Sequence, residues 1–541
     1  MTKKDMTKLF AAAAAVGAAA AAAAVAVNHK KKKKQAEELK RLPKGKNIYF
    51  LGNSVSALFG AAYLINDFGF KGDSIHIFGA DKIGGSGNNE EGFVETVMPV
   101  IASENSRCLF EILKNVPSRD IGDISVKTEI ENYNNAYPLS AMGRLVDGDG
   151  AAFGTADRRA LVKLVKGNIC GNTAIGDIFG ADFFESDFYA MWQSMFAIDA
   201  ETSADEFAKL MRGMLMLSPR VETCEGTLDT CINKYESIVE PLRKYLVECG
   251  VEFCENASVT DIDFDDEYKN VISFDIIEKG TLKTFYLNSG DLCFMTPFTS
   301  FDAMTTGDFN SPAPASSAKT APLWTALAQK ADGVGNPSAV AEAPTAEFTA
   351  TFKSDILTSH IFDTTLNSPG TIMTFKNSNW DMSVVCPMGK YFDGQNDDTY
   401  VVTGRILNCN VEGNYVDKAA VNSSGSEMLY ELVCLLGLKN DWEEIRDSVI
   451  NVVTVLKPYG KSAVNAQSAG ALADMFPNGS TNLAMLGEFV KSDRAKGDME
   501  YLAYNAKNAV YGLLGRNTEP PVCRLPAFMS RRMARRIKTE F

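Results

Sequence analysis

Histidine is almost missing from this chain: its 541 residues hold three, His29, His76 and His360. Because His29 sits in a lysine-rich leader, a three-histidine metal centre in the folded body is excluded. Only His76 and His360 remain for a nucleophilic triad. No two of the eleven cysteines are spaced CxxC; the nearest couples are Cys249/Cys254 and Cys224/Cys231. An odd count without metal spacing reads as reduced thiols that serve as small core residues, so no metal site is expected. A continuous basic face is lacking as well. Residues 1–46 carry a balance of +9 and residues 524–541 one of +5, so with a total of −14 the body between them carries −28. Phosphate contacts need basic surface, and nucleic acid is therefore not an expected partner. Composition is 45% hydrophobic and 23% charged, which excludes a disordered, collagenous or multi-span chain.

What is present begins with the two basic ends. After MTKKDMTKL, the run from Phe10 to Val27 is long enough to cross a bilayer, and Lys30 to Lys34 follow it directly. That cluster holds its flank on the cytoplasmic side, so residues 1–46 read as a membrane anchor or signal-like segment with a polybasic tether. At the other end, residues 524–541 place Met529, Met533, Ile537 and Phe541 at i, i+4 spacing among arginines. Such a helix either lies in a lipid interface or caps the chain's own acidic body. Both ends point to an anionic membrane surface, with the body on the cytoplasmic face.

Residues 47–87 have the pattern of a β-α-β unit: an apolar strand at 47–51, a turn at Gly52, a small-residue helix and a strand at 74–78. This unit aims a helix N-terminus at a pyrophosphate. Only the first glycine of GxGxxG survives, and Ser54 and Ser56 stand in the turn. Gly79-Ala80 follow the second strand, where a ribose-binding carboxylate is usual, and Asp81 is the nearest acid. A second glycine-rich loop, Gly84-Gly85-Ser86-Gly87, adds to the case for a flavin nucleotide.

Several strings then coincide with one family. The GGSG loop with EEGFV, CLFEILKNVPS, TADRRALVKLV, FFESDFYAMWQSMFAI, NKYESIVEPLRKYLVECGVEF, TFKNSNWDMSVV and NGSTNLAMLGEF, taken in order from about residue 47 to about residue 523, resemble the oleate hydratases, also called myosin-cross-reactive antigens. The resemblance implies an α/β fold: an FAD-binding Rossmann-like βαβ domain, a mixed α+β substrate domain and a helical region over an acyl channel. It also implies FAD as a cofactor that is required but not consumed, an unsaturated free fatty acid as substrate, and a homodimer. Family members add water to a cis double bond, or in some cases isomerise linoleate. Protonating an alkene needs an acid held at the double bond in a dry pocket, and a nearby carboxylate to activate water. In the family a tyrosine and a glutamate fill those roles.

This sequence departs from the family at both. In GFVETVMPVIASENSRC, Val100 or Ile101 stands where the glutamate belongs, leaving Glu95 and Glu104 as the candidate acids. Leu210 takes the tyrosine's place, with Tyr189 as the candidate substitute. The polar pair near the substrate carboxylate corresponds to an apolar stretch containing Val385 and Pro387, and Lys390 is the neighbouring cation. Three readings follow: a hydratase, a linoleate-type isomerase, or a non-catalytic lipid-binding paralogue. A flavin oxidoreductase ranks below them for want of a redox cysteine pair.

The expected division is an FAD-binding part at 47–185, a helical lid at 186–255 and a return to the FAD domain at 256–310. A β-rich substrate domain at 311–425 and a helical part at 426–523 with a strand returning to the flavin complete the body. Cofactor contacts are expected from Gly52, Ser54, Ser56, Asp81, Gly84, Gly85, Ser86, Thr296, Ser480, Thr481 and Asn482. The methionine- and aromatic-rich stretch 186–217 is the expected wall of the acyl channel.

Overall fold

The computed structural model describes residues 46–52, 54–79, 87–89, 92–96, 106–120, 122–167, 172–316, 322–365, 370–387, 389–516 and 527–541. The leader, Asp81, Gly84, Gly85, Ser86 and Glu104 lie outside the described residues.

The apolar run IYFL forms β1 (Ile48–Leu51), fully buried, and feeds α1 (Val55–Phe68). Small residues on α1 let it pack closely on the sheet, and Gly69 ends it in the left-handed conformation that glycine adopts without strain. Then come β2 (Ile75–Phe78), β3 (Glu252–Cys254), β4 (Leu292–Met295) and β5 (Leu483–Met485). Their order across the sheet is β5-β4-β1-β2-β3, and every neighbouring pair is parallel. This is a Rossmann-like α/β layer. An antiparallel three-stranded insert, Ala257–Phe264, Val271–Glu278 and Thr281–Tyr286, joins β3 to β4.

A second sheet has seven strands, from Thr305–Gly307 at one edge to Gly143–Leu145 at the other, with Val449–Lys457, Thr345–Phe352, Tyr400–Ile406, Met382–Val385 and Ile372–Thr374 between them. The expected contiguous blocks are therefore interleaved. One edge strand comes from the stretch assigned to the FAD part, and the strand beside the opposite edge comes from the stretch assigned to the C-terminal helical part. Strand Thr345–Phe352 is buried on both faces: one is covered by helix Gly425–Leu435, and Val94, from the short strand Gly92–Val94, clusters with Val453 and Val455.

The helical layer, Asp187–Phe196 and Ala204–Leu217, differs from the expected channel wall. Tyr189, Met191, Trp192, Met195, Phe207, Met211 and Met214 are buried in one aromatic and methionine cluster and act as core. The terminal helix Ala527–Glu540 packs on this cluster through Met533 and Ile537, while Phe541 rests against Phe153 and Phe188. Met533, Ile537 and Phe541 are thus covered by the chain itself, as in the capping alternative for this tail. Arg536 donates to the carbonyls of Leu215, Ser218 and Pro219, at and just beyond the C-terminus of helix Ala204–Leu217. Arg531, Arg532, Arg535 and Lys538 remain exposed. Among the described residues no helix is long and apolar enough to cross a membrane.

Candidate functional site

At the carboxyl edge of the parallel sheet, the turn after β1 presses on the end of β4. Gly52 has φ +110°, and a Cβ there would lie 2.5 Å from the Thr296 carbonyl oxygen, so no other residue fits. Ser54 caps α1 by accepting from the Ala57 N–H, and its hydroxyl pairs with that of Thr296 at 2.9 Å. Ser56, in the first turn of α1, has a buried hydroxyl with no hydrogen-bond partner among the described residues. An orphaned hydroxyl beside a helix N-terminus is a group that a phosphate would satisfy. Gly52, Ser54, Ser56 and Thr296 therefore stand together, and their chemistry fits a dinucleotide.

Ser480, Thr481 and Asn482 do not join them. They precede β5, at the amino edge of the same sheet, where Ser480 and Thr481 bond Asn270 and Asn482 holds both main-chain polar groups of Val271. β5 runs parallel to β4, so its carboxyl end presents Leu486, Gly487 and Glu488 on the side of Gly52 and Thr296. The expected contact triad is corrected accordingly. A Cβ on Gly487 would meet the Thr296 methyl at 2.9 Å. Glu488 accepts from the backbone N–H and hydroxyl of Ser300, and burial pushes its carboxyl above the usual range despite those bonds.

A second feature is a cavity of about 100 Å³ at the edge of the seven-stranded sheet. Its polar lining includes Glu95, Tyr133, Asp229, Lys234 and Tyr391, while Leu139, Met142, Leu228, Ile372, Val385 and Pro387 make it greasy. Glu95 arrives on the short strand Gly92–Val94. Gly92 has φ +131°, and a Cβ there would collide with the Asn451 side chain. The Glu95 N–H then donates to the Thr349 hydroxyl at 2.9 Å, which ties the segment to the sheet. Phe93 stacks on Phe392, and Tyr391, the residue before Phe392, lines the cavity together with Glu95.

The charges around this pair are named by the same geometry. Lys234 bonds Asp229 at 3.1 Å and faces Glu95; burial alone would lower its pKa, but the two carboxylates outweigh that and raise it. Burial first, then the charges of Glu95 and Asp229, push the Tyr391 phenol well above its usual value, so it is a neutral O–H at physiological pH. Cys231 also lines the cavity, with its thiol raised by burial and acidic neighbours.

Glu95 is thus brought to a cavity, whereas Tyr189 is not. Tyr189 packs against Phe183 and Phe184 in the helical core, and burial raises its phenol. Lys390 is exposed and paired with Asp397, so the lysine at the cavity is Lys234. Spacing marks neither Tyr391 nor Lys234, although Lys234 lies inside NKYESIVEPLRKYLVECGVEF and Tyr391 directly follows Lys390. The signal available was a π-helical turn at Tyr235–Val239, legible only in three dimensions and often found at functional sites.

The MCRA family model matches residues 45–511. Two curated relatives are an oleate hydratase from Streptococcus pyogenes serotype M49 (strain NZ131) and a linoleate hydratase from Lactiplantibacillus plantarum. The first is 27% identical over 515 residues, covering 88% of this chain and 86% of the relative. The second is 24% identical over 503 residues, covering 82% and 88%. Among solved structures, an oxidoreductase from Methanosarcina mazei is 10% identical with a TM-score of 0.47, covering 85% of this chain and 99% of that one. A flavoprotein/dehydrogenase from Cytophaga hutchinsonii is 11% identical with a TM-score of 0.37, covering 91% and 84%.

Proposed function

This chain belongs to the MCRA family, and from that premise we propose that it is an FAD-dependent hydratase acting on a carbon–carbon double bond of an unsaturated free fatty acid. The observation that carries the reading is the cavity, where a carboxylate, a neutral phenol and a lysine meet inside an apolar wall. Alkene hydration needs such a set, because proton donation and water activation must occur next to one another and out of bulk solvent. A volume of about 100 Å³ holds a few carbons or roughly three waters, so it suits the reacting part of an acyl chain rather than its whole length.

FAD would be held by Gly52, Ser54, Ser56 and Thr296 at the N-terminus of α1. When bound it would supply a polar ring system that shapes and polarises the acyl site. The residues of this chain do the rest: Leu139, Met142, Leu228, Ile372, Val385 and Pro387 would hold the acyl chain, and Lys234 and Asp229 set the charge around Glu95. Docking to an anionic membrane, where a free fatty acid partitions, would use the exposed Arg531, Arg532, Arg535 and Lys538 together with the basic leader.

The test is incubation of the purified full chain with oleate and with linoleate. The reading requires a flavin absorbance spectrum and a product heavier by one water. A conjugated product of unchanged mass would convert the reading to an isomerase. Bound acid returned unchanged would leave a lipid-binding paralogue.

A further inference from the structure

We propose that Arg405 is a carboxylate anchor: its guanidinium takes the anionic head of a free fatty acid, and the acyl chain runs from there past Thr403 and Val385 into the cavity. That the ligand is a fatty acid rests on the hydratase reading; the anion site itself rests on where Arg405 stands and what it lacks. Arg405 belongs to Tyr400–Ile406, an inner strand of the seven-stranded sheet, directly opposite Glu347 on one side and Ser383 on the other. Side chains two apart on a strand share a face, so Arg405 sits about 7 Å along from Thr403. Thr403 and the Val385 opposite it both line the cavity. The charge of Arg405 also reaches two other lining residues, Glu95 and Lys234.

A guanidinium carries five N–H donors in a rigid fork, and here most of them are unused. Nη1 donates to the Ser194 carbonyl at 3.3 Å, the one hydrogen bond of this side chain among the described residues. Nε lies 3.8 Å from Glu347 Oε1, too far for a hydrogen bond. Glu347 is engaged elsewhere: Lys457 Nζ holds its two oxygens at 2.8 and 3.1 Å and stands 4.9 Å from the centre of the Phe301 ring. Burial lowers the Arg405 pKa despite the charges of Glu347 and Glu95, as for a cation whose desolvation is not fully repaid. Yet 16% of its side-chain surface stays accessible on an inner strand, so the open donors face interior space rather than packed atoms. A buried cation in that state is costly, and a carboxylate answers it with two parallel N–H···O bonds. The neighbouring lysines are already taken, Lys234 by Asp229 and Lys390 by Asp397.

The experiment is equilibrium dialysis of the full chain and its Arg405→Met variant against palmitate and against methyl palmitate, with thermal melting alongside. Both probes are saturated, so turnover plays no part. The unmodified chain should bind the acid more tightly than the ester. Arg405→Met should weaken palmitate on the order of 10–10²-fold and leave methyl palmitate within about threefold, because only the acid meets the fork. Equal affinity of the unmodified chain for acid and ester, or binding of neither, would overturn the anchor. An equal loss of both ligands in Arg405→Met would make Arg405 a packing residue and overturn it too. Should that variant melt early, Arg405→Lys takes its place, keeping the charge without the fork. An acid-specific loss then supports the anchor, and an unchanged preference overturns it. A chain that binds palmitate through Arg405 but returns oleate unchanged keeps the anchor and loses the hydratase reading. A chain that hydrates oleate while Arg405→Met binds palmitate normally keeps the hydratase reading and loses the anchor.

Discussion

Phe93 stacks on Phe392 with ring centroids 4.8 Å apart and planes within 9° of parallel, and this contact places Glu95 beside Tyr391. One ring belongs to the segment leaving the nucleotide-binding layer, the other to a loop of the seven-stranded sheet. The cavity thus exists only where the two meet. Replacing Phe93 with Ala should cost about 3–5 kcal/mol as a large-to-small core change and should lower kcat as well. Urea titration alongside turnover checks both.

Asn233 does not itself line the cavity but holds Tyr391, which does: its backbone N–H and side-chain amide both donate to the Tyr391 carbonyl. Asn233→Ala leaves that carbonyl with fewer donors at a cost of about 1–3 kcal/mol. Turnover should fall more than tenfold with KM little changed, a split that a purely structural role would not produce. Asn233→Asp, which keeps the backbone donor but not the amide donor, should not restore it.

Gly52→Ala should remove flavin binding. The new methyl would drive into the Thr296 carbonyl at 2.5 Å, in a backbone conformation with φ +110°. Loss of the yellow spectrum, with the cavity variants remaining yellow, separates the two sites.

Glu500 makes folding pH-dependent. Its carboxyl is buried and accepts from the N–H groups of Cys108 and Leu109, yet burial outweighs Arg494 and these bonds and pushes its pKa up to about 7. A carboxyl raised above its unfolded value near 4.5 is favoured in its protonated form by folding. The stabilisation is complete below about pH 4.5 and lost as pH rises through 7, on the order of 3 kcal/mol at most. Glu500→Gln should flatten this fall, which chemical unfolding at pH 5 and pH 8 would measure.

On the terminal helix, Arg531, Arg532, Arg535 and Lys538 are exposed, while Arg536 bonds the chain's own carbonyls. If the proposed docking holds, reversing Arg531, Arg532, Arg535 and Lys538 to Glu should weaken sedimentation with phosphatidylglycerol vesicles, the basic leader being retained, and leave the melting temperature nearly unchanged, because these side chains are exposed. Arg536→Ala should do the opposite, because Arg536 satisfies the carbonyls of Leu215, Ser218 and Pro219.

Local patterning made the nucleotide-binding layer legible. IYFL, the small-residue helix and IHIF carry their own periodicity, and Gly52 marks the turn. Helix Gly425–Leu435 was equally plain, with Ser424 and Glu427 forming its capping box. Strand direction was not legible. Ser480 to Asn482 looked like cofactor contacts because the following strand returns to the sheet, but only its parallel pairing with β4 shows that they begin the strand and Gly487 follows it. Strand Val449–Lys457, VINVVTVLK, is a β-branched run whose own pattern encodes it. Methionines at 186–217 fit a channel and a core equally well in one dimension; burial decides for the core. That Tyr391 and Glu95 line one cavity depends on long-range packing that no spacing rule encodes.

The most direct measurement is hydration in heavy-oxygen water. Full-length chain, reconstituted with FAD and given oleate or linoleate in H₂¹⁸O, should release a hydroxy acid carrying a single heavy oxygen at the former double bond. Recovery of the unchanged acid, bound or free, would contradict the account.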